Sequence, residues 1–282
     1  MTLDLAHLRS WIGRVEEATD LVTPRLVAEY RATFEPHLAP TGEGEAPPML
    51  HWCLAPPTAP MAAVAADGHA GKGGFLPPVP LPRRMWAGGR IEIHASLREG
   101  DRVLRRSRIA DVSVKEGRTG RLCFVTVAHE VETGRGLALI ERQDIVYREA
   151  AEGGPAPSPA APPAPAPRPD LAWTVEPSPV LLFRYSAMTF NGHRIHYDGP
   201  YVTGVEGYDG LVVHGPLQAS LLFNLAATLA GRTPAAFEHR GLSPLTAPAP
   251  FRVCGARGAD GAIRCWTEAA DGRVCMRGDA LF

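Results

Sequence analysis

The chain has 282 residues, of which 45% are hydrophobic and 21% are charged, and its net charge at pH 7 is -1. This composition is that of a folded globular protein, and it excludes a chain that is disordered throughout. A net charge near zero argues against a protein that coats nucleic acid. No apolar run approaches the roughly 20 residues that span a bilayer. We therefore expect neither nucleic acid nor a membrane as a partner.

The N-terminal segment and the cysteines indicate a cytoplasmic protein. The first turns of the chain mix acidic and apolar residues, without the pattern of a signal or transit peptide. The five cysteines are scattered along the chain: Cys53, Cys123, Cys254, Cys265 and Cys275. Their number is odd and none forms a CxxC pair, so we interpret them as buried free thiols.

The first half, residues 1–149, is predicted to be a helix followed by strands. Thr23 followed by Pro24 is typical of an N-cap and a first helical position. The apolar face of this helix has helical spacing: Leu26, Val27, Tyr30 and Phe34. Residues 38–82 are rich in Pro and Gly and predict irregular structure. Strand-like runs separated by turns follow: Ile91–Leu97, Arg102–Val114, Leu122–Val131 and Leu137–Tyr147.

A Pro- and Ala-rich segment, residues 150–170, predicts a linker between two domains. It includes eight prolines between Pro155 and Pro169. Proline has no amide donor and favours an extended conformation, which suits a semi-rigid spacer. A ligand for a signalling module is the alternative interpretation of such a segment.

The second half, residues 171–282, repeats the order of the first. Leucines at four-residue spacing between Pro216 and Ala230 predict a long helix that Gly231 ends. Strand-like runs follow, with Asp-Gly turns between them: Pro250–Ala256, Ala262–Ala269 and Arg273–Phe282. Each half therefore reads as a helix and an antiparallel sheet, which is an α+β pattern.

Two segments of the second half carry chemistry-bearing residues. Phe183–Tyr201 holds two histidines, an Asn, an Asp and three tyrosines in a span with little helical periodicity. In Gly210–Leu222, an apolar run meets His214-Gly215 and then the long helix. A Gly at that place exposes backbone N–H groups at the positive end of the helix dipole, where an oxyanion would be stabilised.

These segments resemble the MaoC-like hydratases and dehydratases of the hotdog superfamily. That family carries an Asp followed five positions later by a catalytic His, and a His-Gly dipeptide that opens the central helix. His196 matches the catalytic His, and His214-Gly215 matches the dipeptide. Asn191 stands where the family has Asp, and His193 stands where it usually has Asn. The sequence therefore departs from the family at an acid–base position.

The form of the motif in this chain, TFNGHRIHYD, is similar to that of one subgroup of the family. This subgroup includes 3-methylfumaryl-CoA (mesaconyl-CoA) and itaconyl-CoA hydratases and 3-hydroxyacyl-thioester dehydratases. RRMWAGGR (Arg83–Arg90) in the first half resembles the same subgroup. The resemblance implies a double hotdog with a catalytic second half and a non-catalytic first half. It implies a hydro-lyase that adds water to an unsaturated acyl-CoA, and among acyl groups it favours a short branched dicarboxylic one. A fatty-acyl dehydratase, a thioesterase and a non-catalytic thioester-binding protein stay open as alternatives.

The reaction needs a base for water, an acid for the α-carbon and donors for the thioester oxygen. We assign His196 as the acid–base group, Asn191 to positioning the water, and Gly215 N–H to the oxyanion. The other candidates would bind substrate or shape its pocket: His193, His214, Tyr197, Arg184 and Arg194, the last two for a substrate carboxylate. Three more residues would bind the coenzyme A moiety: Arg84, Trp86 and Arg90.

No metal is expected, because His193 and His196 have no evident third ligand in the sequence. No cofactor is expected either, apart from coenzyme A as part of the substrate. A homo-oligomer of double-hotdog subunits is compatible with the sequence.

Overall fold

A computed structural model describes residues 3–117, 120–149 and 168–282. The strands of the first half are β1 Val15–Leu21, β2 Arg83–Ile93, β3 Arg102–Gly117, β4 Gly120–Thr133 and β5 Gly136–Arg148. Those of the second half are β6 Leu171–Val175, β7 Ala236–Gly241, β8 Phe251–Arg257, β9 Ile263–Glu268 and β10 Val274–Leu281. The helices are α1 Leu5–Arg9, α2 Pro24–Phe34, α3 Pro179–Met188, α4 Gly199–Gly204 and α5 Gly215–Ala230.

All these strands form one antiparallel sheet in the order β1-β3-β4-β5-β2-β7-β10-β9-β8-β6. The two halves meet where β2 pairs with β7, from Gly88 opposite Arg240 to Glu92 opposite Ala236. The sheet is therefore continuous across the halves, and strands of one half cover an edge of the other. The α+β prediction is confirmed, as are six of the seven predicted strands. The strand predicted at Ile91–Leu97 is wrong in its bounds, because β2 begins at Arg83 and ends at Ile93.

Helix α5 is the central helix of the second half and packs against β8, β9 and β10. Its residues from Leu217 to Ala227 are all buried, so the helix is enclosed on every side rather than along one stripe. Its apolar sequence suits this position. Gly231, with a positive φ of 72°, ends it as predicted.

Helix α2 of the first half is built as its sequence predicts. Thr23 accepts a hydrogen bond from Leu26 N–H at 3.1 Å, and Pro24 occupies the first turn. Tyr30 stacks on Phe34 with ring centroids 4.4 Å apart, and Phe34 contacts Tyr185 of α3 edge-on. The buried face of α2 thus belongs to the same core as α5.

Residues 150–167 of the linker predicted at 150–170 lie outside the part of the chain that the structure describes. The division into domains therefore stays a prediction. The five cysteines are buried and free, as expected. No helix of the described residues is both long and apolar enough to cross a bilayer.

Candidate active site

His196 lies in the loop between α3 and α4, at the end of a short 3₁₀ helix, Arg194–His196. Its ring is buried, and Nδ1–H donates to the carbonyl of Val212 at 2.7 Å. A carbonyl only accepts, so this bond fixes the proton on Nδ1 and leaves Nε2 as an acceptor. Burial lowers the pKa of His196 to about 4, in spite of that hydrogen bond. The side chain is therefore a neutral, oriented base at pH 7.

His214 stacks on His196, with ring centroids 3.6 Å apart and planes 17° apart. Its Nε2 forms a hydrogen bond of 2.8 Å with Ser186 Oγ, and Tyr185 contacts its ring edge-on. Burial lowers the pKa of His214 well below its usual range. The ring thus packs against one face of His196 and stays uncharged, and the predicted role of His214 at the substrate pocket stays a prediction.

Gly215 is the first residue of α5, directly after His214. The N–H groups of a first helical turn have no acceptor within the helix, and Pro216 has no N–H at all. The Gly215 N–H is therefore available to an oxyanion beside the stacked histidines. This placement agrees with the role assigned to Gly215 from the sequence.

Trp86 of the first half covers this helix start. A Cβ atom on Gly215 would lie 2.7 Å from Trp86 Cε3, so the indole packs directly against the glycine. Trp86 also stacks on His239 at 4.5 Å and contacts Trp52 edge-on. The predicted contact of Trp86 with coenzyme A stays a prediction, and its observed contact is with the start of α5.

Asn191 begins the loop, and its Oδ1 accepts a hydrogen bond from His193 N–H at 3.0 Å. This bond is internal to the loop and uses one of the two lone pairs of the carboxamide oxygen. The second lone pair of this oxygen and the amide N–H₂ group are left to contact a water molecule. Asn191 therefore shapes the loop, and whether it also positions the water stays a prediction.

His193 is buried beside His196, with perpendicular rings 5.4 Å apart. On its other side it contacts His69, a residue of the first half, at a ring distance of 4.0 Å. Burial lowers the pKa of His193 to about 2, and the neighbouring rings of His69 and His196 add to this effect because protonated imidazoles repel one another. The sequence did not indicate this contact.

Protein groups bind four of the side chains that were predicted to contact substrate: Arg194, Tyr197, Arg184 and Arg90. Arg194 forms an ion pair with Asp198 at 2.7 Å, and the Tyr197 hydroxyl donates to the Gly192 carbonyl at 2.8 Å. Arg184 is exposed and donates to the Ala32 carbonyl of α2 at 3.3 Å.

Arg90 donates to Glu92 at 3.0 Å and lies 4.0 Å from Glu238. The structure therefore does not present Arg184, Arg194 or Arg90 as free cations at the histidines.

Arg84 is the predicted arginine whose charge acts on two of the histidines. After burial, which is the larger cause, its charge lowers the pKa of both His69 and His193. Lys72 acts on His69 in the same direction. The histidine cluster thus has a positively charged side.

Asp67, His69 and His193 bring one ligand atom each to within 4.8 Å of one another. This set does not include His196, so it differs from the pair His193 and His196 that the sequence analysis considered. The positive charges of Lys72 and Arg84 oppose a cation at this place. That no metal takes part stays a prediction.

A family model for hydroxyacyl-thioester dehydratase type 2 matches residues 48–247. The chain belongs to this dehydratase family. A mesaconyl-C(4)-CoA hydratase from Chloroflexus aurantiacus is 45% identical to it over 249 residues, which cover 88% of each chain. Membership of the type 2 dehydratase family confirms the predicted resemblance and the predicted enzyme class, a hydro-lyase.

Solved structures support the fold of this family member. A MaoC-like dehydratase from Phytophthora capsici has a TM-score of 0.68 at 16% identity and covers 99% of both chains. A Mycobacterium tuberculosis protein with a double hotdog fold has a TM-score of 0.54 at 15% identity and covers 96% of both chains. The predicted double hotdog is confirmed.

Proposed function

We propose that the protein adds water reversibly to the double bond of an α,β-unsaturated acyl-CoA thioester. The observation that carries this proposal is the buried, neutral His196 with a free Nε2, placed beside the N–H of Gly215 at the start of α5. A base and an oxyanion donor at one place are what this hydration requires.

His196 Nε2 takes a proton from water as the water oxygen bonds to the β-carbon. The electron pair of the double bond moves towards the thioester oxygen, which Gly215 N–H stabilises. The proton on His196 then passes to the α-carbon, so one water molecule is consumed and nothing else. Val212 keeps the ring oriented throughout, because its carbonyl holds Nδ1–H.

We infer a short, branched dicarboxylic acyl group, such as that of mesaconyl-C4-CoA or itaconyl-CoA. The similarity to the mesaconyl-C(4)-CoA hydratase supports it. Arg84 supports it as well, because its positive charge acts on His69 and His193 and suits a free carboxylate of the acyl group. Arg84 takes the place of Arg184 and Arg194 in this role, since both have other partners. The cytoplasmic location and a homo-oligomeric assembly stay predictions.

The second candidate is dehydration of a fatty 3-hydroxyacyl thioester, in line with the family's description. The apolar part of a cavity of about 210 Å³ beside the first turns of α5 favours it. Phe34, Leu181, Leu217 and Leu221 line this cavity together with polar residues that include Glu35, His37 and Glu176.

A panel of acyl-CoA thioesters separates the two candidates. Mesaconyl-C4-CoA and itaconyl-CoA are compared with crotonyl-CoA and a medium-chain enoyl-CoA, and water addition is followed by mass spectrometry. We expect the highest kcat/KM for a dicarboxylic thioester. A preference for the medium chain would favour the second candidate, and hydration of none of them would contradict the proposed function.

A further inference from the structure

A tight turn of the first half, residues 65–69, docks onto the loop that carries His196. Arg194 N–H donates to the Asp67 carbonyl at 2.9 Å, and its Nη1 donates to the Ala66 carbonyl at 3.0 Å. Gly68 has φ +91°, and a Cβ atom there would overlap the Gly192 carbonyl oxygen. Only glycine fits this contact, so the turn and the loop are built to meet.

The turn presents a carboxylate–imidazole pair. Asp67 Oδ2 accepts a hydrogen bond from His69 Nδ1 at 2.9 Å, and its Oδ1 accepts one from His69 N–H at 3.0 Å. A carboxylate only accepts, so the proton of neutral His69 lies on Nδ1 and Nε2 is an acceptor. Burial by itself would raise the pKa of Asp67, but the hydrogen bonds of His69 outweigh it and hold that pKa well below its usual range. Burial lowers the pKa of His69, so the imidazole is neutral at pH 7.

The pair extends a row of imidazoles that runs across both halves. His69 contacts His193 at 4.0 Å, His193 contacts His196 at 5.4 Å, and His196 stacks on His214 at 3.6 Å. His69 and His196 both have an unprotonated Nε2, and both pack against the ring of His193. Two acceptors in one cluster suit the two hydrogens of one water molecule.

The other polar groups of the loop are engaged elsewhere. Asp198 pairs with Arg194 and accepts from Tyr201 N–H at the start of α4. The oxygen of Asn191 accepts from His193 N–H. Among the described residues, Asp67 is therefore the carboxylate that is hydrogen-bonded to this row of imidazoles.

We propose that the Asp67–His69 pair holds the attacking water by its second hydrogen, while His196 takes the first. Asp67 acts through His69, whose tautomer it fixes, and is a positioning residue. The first half then contributes to the reaction instead of being catalytically silent. This inference rests on the proposed hydration.

The first test is kinetic. His69→Ala and Asp67→Asn should each lower kcat about 10²-fold, with KM for the thioester nearly unchanged. Asp111→Asn, at an exposed position of β3, is the matched control and should change neither. In a His196→Ala background the His69→Ala change should cost much less, since both groups hold the same water. An unchanged kcat with a lower thermal midpoint would show that the pair only stabilises the turn, and would overturn the proposal.

The second test does not depend on activity. Long-range ¹⁵N–¹H NMR spectra should show wild-type His69 protonated on Nδ1, and protonated on Nε2 in Asp67→Asn, because the carboxamide N–H₂ can donate to Nδ1. Protonation of wild-type His69 on Nε2 would overturn the proposal even if hydration were confirmed. Activity that is lost on dialysis against EDTA and restored by Zn²⁺ would also overturn it, because the same atoms would then bind a cation.

Discussion

Replacing Gly215 by Ala tests the contact between the two halves at the active site. The new Cβ would lie 2.7 Å from Trp86 Cε3, whereas ordinary van der Waals contact begins near 3.4–4 Å. The indole or the helix start must therefore move by roughly 1 Å. Overpacking of this kind costs about 1–3 kcal/mol, and the higher helix propensity of Ala returns at most about 1 kcal/mol. We expect a net loss of about 1–2 kcal/mol, or a few degrees in thermal midpoint.

The same shift should lower activity more than stability. The Gly215 N–H is retained in the variant but displaced, and a misplacement of about 1 Å costs up to roughly 10²-fold in rate. Gly199→Ala is a matched control. Gly199 is also the first residue of a helix and is also followed by Pro, and nothing lies within 4 Å of its Cβ position.

The assays are thermal unfolding followed by circular dichroism and steady-state hydration of the best thioester. Trp86→Leu combined with Gly215→Ala should recover part of the lost stability, because it removes the atoms that clash. If Gly215→Ala matched Gly199→Ala in both midpoint and kcat, the reasoning about this contact would be refuted.

Two further predictions concern stability. Glu141 is buried, accepts a hydrogen bond from Trp52 Nε1–H at 2.8 Å and lies 3.5 Å from His51. Glu141→Leu should therefore lower the free energy of unfolding, measured in urea, by about 3–5 kcal/mol. A loss under about 1 kcal/mol would contradict this. Burial lowers the pKa of both His196 and His239 to about 4, against about 6.5 when unfolded. Between these values the unfolded chain binds more protons, so stability should fall as pH drops from 6.5 towards 4. Thermal midpoints that stay level from pH 7 to pH 5 would count against this.

The sequence predicts β3, β4, β5 and α5 because their patterns are long and strong, and it places β2 too far along the chain. It misses β1, β6 and β7, which have five to seven residues each. β1 and β6 are the edge strands of the sheet, and β1 is largely exposed, so no alternation of buried residues marks it. In β7, the charged residues Glu238 and Arg240 break the apolar pattern, and pairing with β2 and β10 stabilises the strand.

The residues of the candidate site also fall into those that the sequence could predict and those that it could not. His196, Asn191 and Gly215 could be predicted because they lie in two short segments of the chain. Asp67 and His69 could not, because they lie in an irregular region and reach the site through contacts over more than a hundred residues, such as that of Ala66 with Arg194. No local pattern encodes a contact at that separation.

The kcat of His196→Ala with the best dicarboxylic acyl-CoA tests the central claim most directly. His94→Ala, at an exposed position, is the control and should behave as the wild-type protein. Because His196 exchanges the proton of the added water, its loss should lower kcat by about 10²–10⁴-fold and leave KM nearly unchanged. Full hydration activity in His196→Ala would contradict the proposed site.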